Sequence, residues 1–164
     1  MSKQEKSLYM TVLMTPEMAN FAGNVHGGSL LKMLDEVAYA CAARYCKSYV
    51  VTRALDQVIF NEPVKVGELV TFMANVNYTG RSSLEVGVKV LAEDLHTAEK
   101  RHTNSCYFTM VAIGDDGGPI EVPPLQIETD IEQRLFEAGK MRKEMRSEIQ
   151  ERNRALHVGI PDLL

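Results

Sequence analysis

The chain has few cysteines, no long apolar run and no excess of positive charge, and each shortage excludes a class of protein. Its 164 residues contain an odd number of cysteines (Cys41, Cys46 and Cys106), with no C-x-x-C pair and no metal-ligand spacing. We therefore expect reduced, buried thiols in a cytoplasmic protein, with neither a disulfide framework nor a metal site. No apolar run approaches the ~18 residues of a membrane helix, and the polar first residues do not resemble a signal peptide.

The net charge and the length of the chain indicate which partners and how many domains to expect. The formal net charge is −4 and the pI is about 5.6, which argues against nucleic acid as the main partner. A chain of this length buries about two thirds of its unfolded surface, which is enough for one core. We expect a single domain over residues 1–128, a helix over 129–152 and a loose tail over 153–164.

The most informative segment runs from the loop before a predicted helix into its second turn. Polar side chains precede two glycines that open an apolar run: Asn20, Asn24, His26, Gly27 and Gly28. The first N–H groups of a helix are unpaired and carry positive potential, and a glycine lets a ligand approach them closely. Asp35 follows within the apolar run, where a buried carboxylate requires a partner or a function. The segment predicts a helix start that binds an oxyanion, together with a general base.

Apolar periodicity predicts one long helix and several strands. The helix is expected over Gly27–Cys46, buried except for a polar stripe of Lys32, Asp35, Glu36 and Tyr39. Glu36 is the better-spaced partner for Lys32, at i+4, which leaves Asp35 free. Alternating patterns predict an antiparallel sheet, with strands at Leu8–Met14, Tyr49–Phe60, Glu68–Tyr78, Ser83–Glu93 and Arg101–Ile113. We therefore expect an α+β fold, with the sheet wrapped around the helix.

A second, amphipathic helix is expected near the C-terminus. Thr129 followed by Glu132 is a capping box, and the helix is expected to end near Arg152. Its charges are mixed in sign, so packing on its own sheet or on a neighbouring subunit is favoured over a membrane surface.

Three separated segments carry a family resemblance: ANFAGNVHGGSLLKMLDEVA at 19–38, VNYTGRSS at 76–83 and RHTNSCYFTMVA at 101–112. In collinear order over about residues 8–128, they resemble the hotdog-fold acyl-CoA thioesterases of the cytosolic acyl-CoA hydrolase type. Three ordered motifs are much more specific than one Gly-rich loop. The resemblance implies the hotdog fold and hydrolysis of acyl-CoA to free fatty acid and coenzyme A. It requires no cofactor, because coenzyme A is part of the substrate.

The resemblance assigns the reactive side chains. Asp35 activates water or attacks the thioester directly, and the sequence does not separate these two roles; a structural acid paired with Lys32 is the alternative. Asn20 matches the asparagine that orients the water or holds the thioester carbonyl, whereas Asn24 is expected to be a turn residue.

The helix start is expected to stabilise the oxyanion. The backbone N–H of Gly28, together with that of Gly27, donates to the developing charge, although two glycines also permit close packing of the helix. His26 is expected to shape the loop through hydrogen bonds rather than to act as a base.

The loop 79–83 is by composition only a hairpin turn, but the resemblance places it along the coenzyme A chain. The residues implied in coenzyme A binding are Gly80, Arg81, Ser82, Ser83 and Arg101, with His102 beside the last. The arginines are suited to phosphate and the serines to the pantetheine amides.

Spacing along the helix favours a site built from two chains. Gly28 and Asp35 are seven residues apart, or about 10 Å along the axis, so one chain cannot bring both to the same thioester. Either the acid is unrelated to the glycines, or a second copy of the chain completes the site. The resemblance independently implies a homodimer in which each helix start faces the partner's acid, and trimers of dimers above it. Two alternatives remain: a hotdog hydratase or dehydratase, which the His-Gly-Gly loop with an upstream asparagine fits less well, and a non-catalytic acyl-CoA sensor.

Overall fold

The computed structural model describes residues 3–156. The described residues form β1 (Ser7–Leu13), a 3-10 turn (Pro16–Met18), α1 (Gly27–Cys46), β2 (Tyr49–Leu55), β3 (Leu69–Thr79), β4 (Ser83–Glu93), β5 (Lys100–Ile113) and α2 (Asp130–Leu156). The chain divides into two compact units after Gln126, the first containing the sheet and α1 and the second containing α2.

The five strands form one antiparallel sheet in the order β1-β3-β4-β5-β2, which leaves β1 and β2 at its edges. Alternate residues of β4, such as Val86, Val88 and Val90, are buried and join one side of α1 in a continuous core. Successive side chains of a strand point to opposite faces, so this alternation orients one face of the sheet toward the helix. The α+β arrangement predicted from the sequence is therefore present.

Helix α1 has the predicted bounds, and local chemistry explains both ends. His26 caps its start, and Lys47 ends it in the left-handed conformation, with φ of 53°. One side is fully buried, whereas the predicted stripe of Lys32, Asp35, Glu36 and Tyr39 is exposed. The expectation that Asp35 is buried is wrong for the single chain, because the stripe lies on the side of α1 that is exposed to solvent.

Strand β2 is shorter than predicted. It ends at Leu55 rather than Phe60, and the last backbone contact with β5 is the N–H of Asp56 donating to the carbonyl of Tyr107, at 3.0 Å. Three apolar residues in a row, from Val58 to Phe60, break the alternation that a paired strand requires. Val58 packs against the core, and Phe60 reaches the start of α1. The other strands agree with prediction to within a residue at each end.

Helix α2 begins with the predicted cap. The Thr129 hydroxyl accepts the N–H of Glu132 at 3.2 Å, and the Glu132 carboxylate accepts the N–H of Glu128 at 2.6 Å. The helix continues to Leu156, four residues beyond the predicted end, so residues 153–156 of the expected tail are helical. Residues 157–164 of that tail lie outside the described part of the chain. Within residues 3–156, no helix combines the length and hydropathy needed to cross a membrane.

Candidate active site

The start of α1 carries two backbone donors that are occupied, those of Gly28 and Ser29, and one that is not, that of Gly27. The Nδ1 atom of His26 accepts the N–H of Gly28 at 2.9 Å, and the carbonyl of His26 accepts the N–H of Ser29 at 3.0 Å. Within residues 3–156, the N–H of Gly27 has no hydrogen-bond partner. His26 thus shapes the loop as predicted, through a cap. A role for Gly28 as an oxyanion donor requires that His26 release it, whereas Gly27 is available without rearrangement.

An aromatic ring lies beside Gly27, on the side where a Cβ would project. The Cε2 atom of Phe60 is 3.7 Å from the position that a Cβ of residue 27 would occupy, which is an ordinary van der Waals distance. An apolar ring beside a backbone N–H lowers the local dielectric and strengthens any hydrogen bond that the N–H makes. The segment after β2, expected as a strand, is therefore part of the wall of the helix start.

Asn20 is held by its own loop in a way that orients its amide. Its Oδ1 atom accepts the N–H groups of Ala22 at 2.9 Å and of Asn24 at 3.1 Å. Because N–H donors need an acceptor, this pairing fixes which end of the amide is oxygen. Among the described residues, the Nδ2 group has no partner, so it remains available as a donor. Asn24 takes part through its backbone, as expected for a turn residue.

Asp35 forms a contact that spacing along the chain does not indicate. Its Oδ1 atom accepts the hydroxyl of Thr52, in β2, at 2.6 Å. Lys32 contacts Glu36 at 4.0 Å, which confirms that pair and leaves Asp35 out of it. Thr52 was missed from the sequence because it lies seventeen residues beyond Asp35 in another element. Only the packing of edge strand β2 alongside α1 brings the two together.

The hairpin predicted to meet coenzyme A is a compact turn with one free cation. The N–H of Gly80 donates to the carbonyl of Ser83, and the N–H of Val122 donates to the carbonyl of Arg81, both at 2.8 Å. The Arg81 side chain is exposed and, within residues 3–156, forms no ion pair. The turn therefore presents a fixed backbone and an unpaired guanidinium. Ser82 and Ser83 are half-buried beside it.

Arg101, also predicted to meet coenzyme A, is engaged by neighbouring carboxylates. Its guanidinium binds both carboxylate oxygens of Glu68, contacts Glu62 through Nε at 3.0 Å, and donates to the carbonyl of Pro63 at 2.8 Å. The hydrogen bond from Arg101 lowers the pKa of Glu68, and Glu68 in turn raises the pKa of Arg101. The neighbouring ring of His102 is bonded to Ser105 at 2.8 Å. This arrangement favours a structural role for Arg101.

The predicted coenzyme A residues lie at opposite ends of the sheet. Ser83 pairs with Val111, near the end of β5 that meets the start of β2, whereas Lys100 pairs with Glu93 at the other end. The 11 residues of β4 separate these ends, and they span about 35 Å along the strand. Arg101 and the hairpin of one chain are therefore not neighbours.

The comparisons with known proteins agree with this fold. Residues 22–99 match the model of the thioesterase superfamily. Protein VdlD of Helicobacter pylori is 50% identical over 85% of this chain and 80% of that protein. The cytosolic acyl coenzyme A thioester hydrolase of Rattus norvegicus is 36% identical over 79% of this chain and 35% of that protein.

Solved structures are similar over nearly the whole chain. The acyl-CoA hydrolase of Staphylococcus aureus, studied in complex with butyryl coenzyme A and coenzyme A, has a TM-score of 0.84 and 30% identity, covering 93% of both chains. An apo hexameric acyl-CoA thioesterase has a TM-score of 0.84 and 35% identity, covering 88% of this chain and 92% of that one. Variants of the Staphylococcus aureus protein replace an asparagine, an aspartate and a threonine by alanine.

A curled antiparallel sheet around one long helix, with a capped helix start rich in polar side chains, defines the hotdog class of proteins. The chain belongs to the hotdog-fold acyl-CoA thioesterases, and it is an acyl-CoA thioester hydrolase. The family, the fold and the enzyme class predicted from the sequence are thus confirmed. The roles of individual residues stay predictions.

Proposed function

We propose that the chain hydrolyses acyl-CoA to free fatty acid and coenzyme A in a site shared by two protomers. One protomer supplies the N–H of Gly27 and the amide of Asn20, and the other supplies the carboxylate of Asp35. The observation that carries the proposal is the unpaired N–H of Gly27 at a capped helix start, preceded in the same loop by Asn20, an amide whose donor end is unoccupied. Two such donors suit the oxyanion of a tetrahedral intermediate.

The reaction then follows from these groups. Water attacks the thioester carbon as Asp35 takes its proton, and the carbonyl oxygen becomes an oxyanion held by Gly27 and Asn20. The intermediate collapses and the C–S bond breaks. The leaving sulfur of coenzyme A takes the proton that Asp35 accepted from water, and coenzyme A departs as the thiol. Direct attack by Asp35, through an anhydride that water then cleaves, uses the same groups.

Thr52 keeps Asp35 in one orientation in this proposal. Its hydroxyl donates to Oδ1 at 2.6 Å, which leaves Oδ2 to accept the proton. The asparagine, aspartate and threonine replaced in the Staphylococcus aureus hydrolase are separated by 15 and 17 residues. Asn20, Asp35 and Thr52 have the same identities and the same separations, which supports assigning them to one site.

The exposed side of α1 and edge strand β2 supply a surface for the second protomer. Tyr49 and Leu55 of β2 are 60% and 39% exposed, and Tyr39 of α1 packs edge-on against Tyr49, with ring centroids 6.3 Å apart. An unpaired edge strand with apolar side chains is suited to pairing with another copy. We further propose trimers of dimers, since related thioesterases are hexameric, and a cytoplasmic location.

Release of coenzyme A tests the proposal directly. Purified protein is incubated with acetyl-CoA, decanoyl-CoA and palmitoyl-CoA, and the free thiol is measured with a thiol reagent. Background is expected to be low, because burial raises the pKa of Cys41 and Cys106 to about 12 and that of Cys46 to about 11. Tight acyl-CoA binding without thiol release would instead support the sensor. Loss of enoyl absorbance with an enoyl-CoA would support the hydratase.

A further inference from the structure

One cleft of the first unit lies beside the start of α1 and has no role in the mechanism above. Its volume is about 310 Å³, and it opens between β1, the 3-10 turn and α1. Its lining residues are Met10, Val12, Met18, Ser29, Lys32, Met33 and Glu36.

The chemistry of the walls suits an aliphatic ligand. Three methionines and a valine contribute no ionisable group, and thioether side chains adapt their shape to flexible chains. The only charged residues are Lys32 and Glu36, which are exposed and paired with each other at the mouth. A phosphate or a peptide would leave its polar groups unpaired against such walls.

The position of the cleft connects it to the free donor of the helix start. Ser29 lies two residues beyond Gly27, so a carbonyl bound at that N–H stands at one end of the cleft. Met33 lies one turn further, about 9 Å from Gly27 along the axis. Met33 and Asp35 are two residues apart, and hence about 200° apart around the helix. The other helix residues of the lining, Ser29, Lys32 and Glu36, lie between about 60° and 120° from Asp35, so the cleft lies to one side of the acid of its own protomer.

We propose that this cleft binds the acyl chain of the substrate and sets its length, an inference that rests on the proposed function. A methylene is similar in size to a water molecule, which occupies about 30 Å³ in the liquid, so the cleft, which is open to solvent on one side, accommodates at most about ten carbons. Each buried methylene contributes about fourfold to binding. The specificity constant should therefore rise steeply with chain length up to decanoyl-CoA and level off beyond it.

Matched variants of β1 test the cleft. Val12→Phe fills it, whereas Leu13→Phe adds the same ring at the next residue, which is 47% exposed and points to the other face of the sheet. We expect Val12→Phe to lower the ratio of kcat/KM for decanoyl-CoA over butyryl-CoA at least tenfold, and Leu13→Phe to leave it unchanged. An unchanged ratio in folded Val12→Phe, or an equal change in both variants, overturns the proposal.

Met18→Ala keeps the proposal testable if Val12→Phe does not fold. Enlarging the cleft should raise kcat/KM for dodecanoyl-CoA relative to decanoyl-CoA, and no change in this ratio overturns the proposal. Calorimetric titration with S-alkyl thioethers of coenzyme A provides a readout independent of turnover. Affinity that rises to a ten-carbon chain and falls in Val12→Phe, without any hydrolysis, would contradict the proposed function alone. Hydrolysis with no effect of either variant would contradict the cleft alone.

Discussion

Asp35 and Gly27 are the two residues whose replacement separates chemistry from folding. Asp35 is exposed, and an asparagine in its place can still accept the Thr52 hydroxyl. We therefore expect Asp35→Asn to retain the thermal stability of the parent and to lose about 10²–10⁴ in kcat, the contribution of a general base. The matched control is Glu36→Gln, which removes the adjacent exposed carboxylate and should retain activity. Turnover of Asp35→Asn within a few-fold of the parent would remove Asp35 from the mechanism.

Gly27→Ala tests the backbone donor in a similar way. A methyl group there meets Phe60 at an ordinary 3.7 Å and replaces a glycine within a helix, so stability should be unchanged or slightly higher. The same methyl group obstructs approach to the N–H, and kcat should fall by about 10². Gly28→Ala provides the contrast, because its methyl group would lie 3.0 Å from Nδ1 of His26. Displacing that cap should cost about 1 kcal/mol of stability. Full activity in Gly27→Ala, measured by thiol release, would show that the substrate does not use the space beside this backbone that a methyl group fills.

At the scale of single residues, the sequence predicted candidate side chains but not all of their surroundings. The turn and the functional interpretations of Asn20 are compatible, because its oxygen holds the loop while its NH2 group is free. The exposure of Asp35 and its contact with Thr52 depend on how β2 lies against α1. That packing is a long-range property that neither periodicity nor spacing contains.

At the scale of elements, sequence patterns within each helix or strand predicted most of the residues at which these elements begin and end. The two glycines and the apolar run placed both ends of α1 correctly. The end of β2 was wrong because tertiary contacts decided it: Phe60 covers Gly27 instead of continuing the ladder. The apolar residues after Asp56 are compatible both with a longer strand and with a segment that packs on α1. Only the loss of alternation after Asp56 indicated that the strand ends there.

The two ends of β4 allow the predicted coenzyme A contacts to be separated. Arg81 is exposed and has no ion pair within the described residues, so Arg81→Ala should retain the melting temperature. It should raise KM for acyl-CoA about fivefold with little change in kcat, as expected when one charge-assisted contact is lost. The effect should vanish with acyl-pantetheine, which lacks the nucleotide phosphates. Lys89→Ala, an exposed position within β4, is the control. An equal rise of KM for both substrates would argue against a phosphate contact.

Arg101 should instead govern stability, with a defined pH dependence. Arg101→Ala leaves Glu68, which is 5% exposed, without its cation, at a cost of about 3 kcal/mol near neutral pH. Because Arg101 lowers the pKa of Glu68 in the folded state, its stabilisation is complete above the usual carboxyl pKa and is lost as the pH falls through the lowered value. Denaturant titrations should therefore show the two proteins converging in acid. Lys100→Ala breaks only an exposed contact with Glu93 at 3.8 Å and should cost less than about 1 kcal/mol. A pH-independent difference for Arg101→Ala would contradict this assignment.

At the scale of the whole molecule, the central question is whether one protomer or two form each site. Gly27 and Asp35 belong to one unbroken helix and are eight residues apart, about 12 Å along its axis. A thioester carbonyl within 3 Å of that N–H is therefore out of reach of the same protomer's acid. The exposure of Asp35 is consistent with this interpretation, because an acid that acts on the partner's substrate must lie on the surface of its own chain.

Mixing two inactive variants decides between these arrangements. Gly27→Ala and Asp35→Asn, carrying different tags, are co-expressed so that their subunits associate at random. If each site takes its helix start from one protomer and its acid from the other, a hybrid dimer has one site with both groups intact and one with neither. Half of the dimers are then hybrids, and about a quarter of the parental activity should return. If both groups act within one chain, every site in the mixture carries a defect, and thiol release should stay at the level of the separate variants.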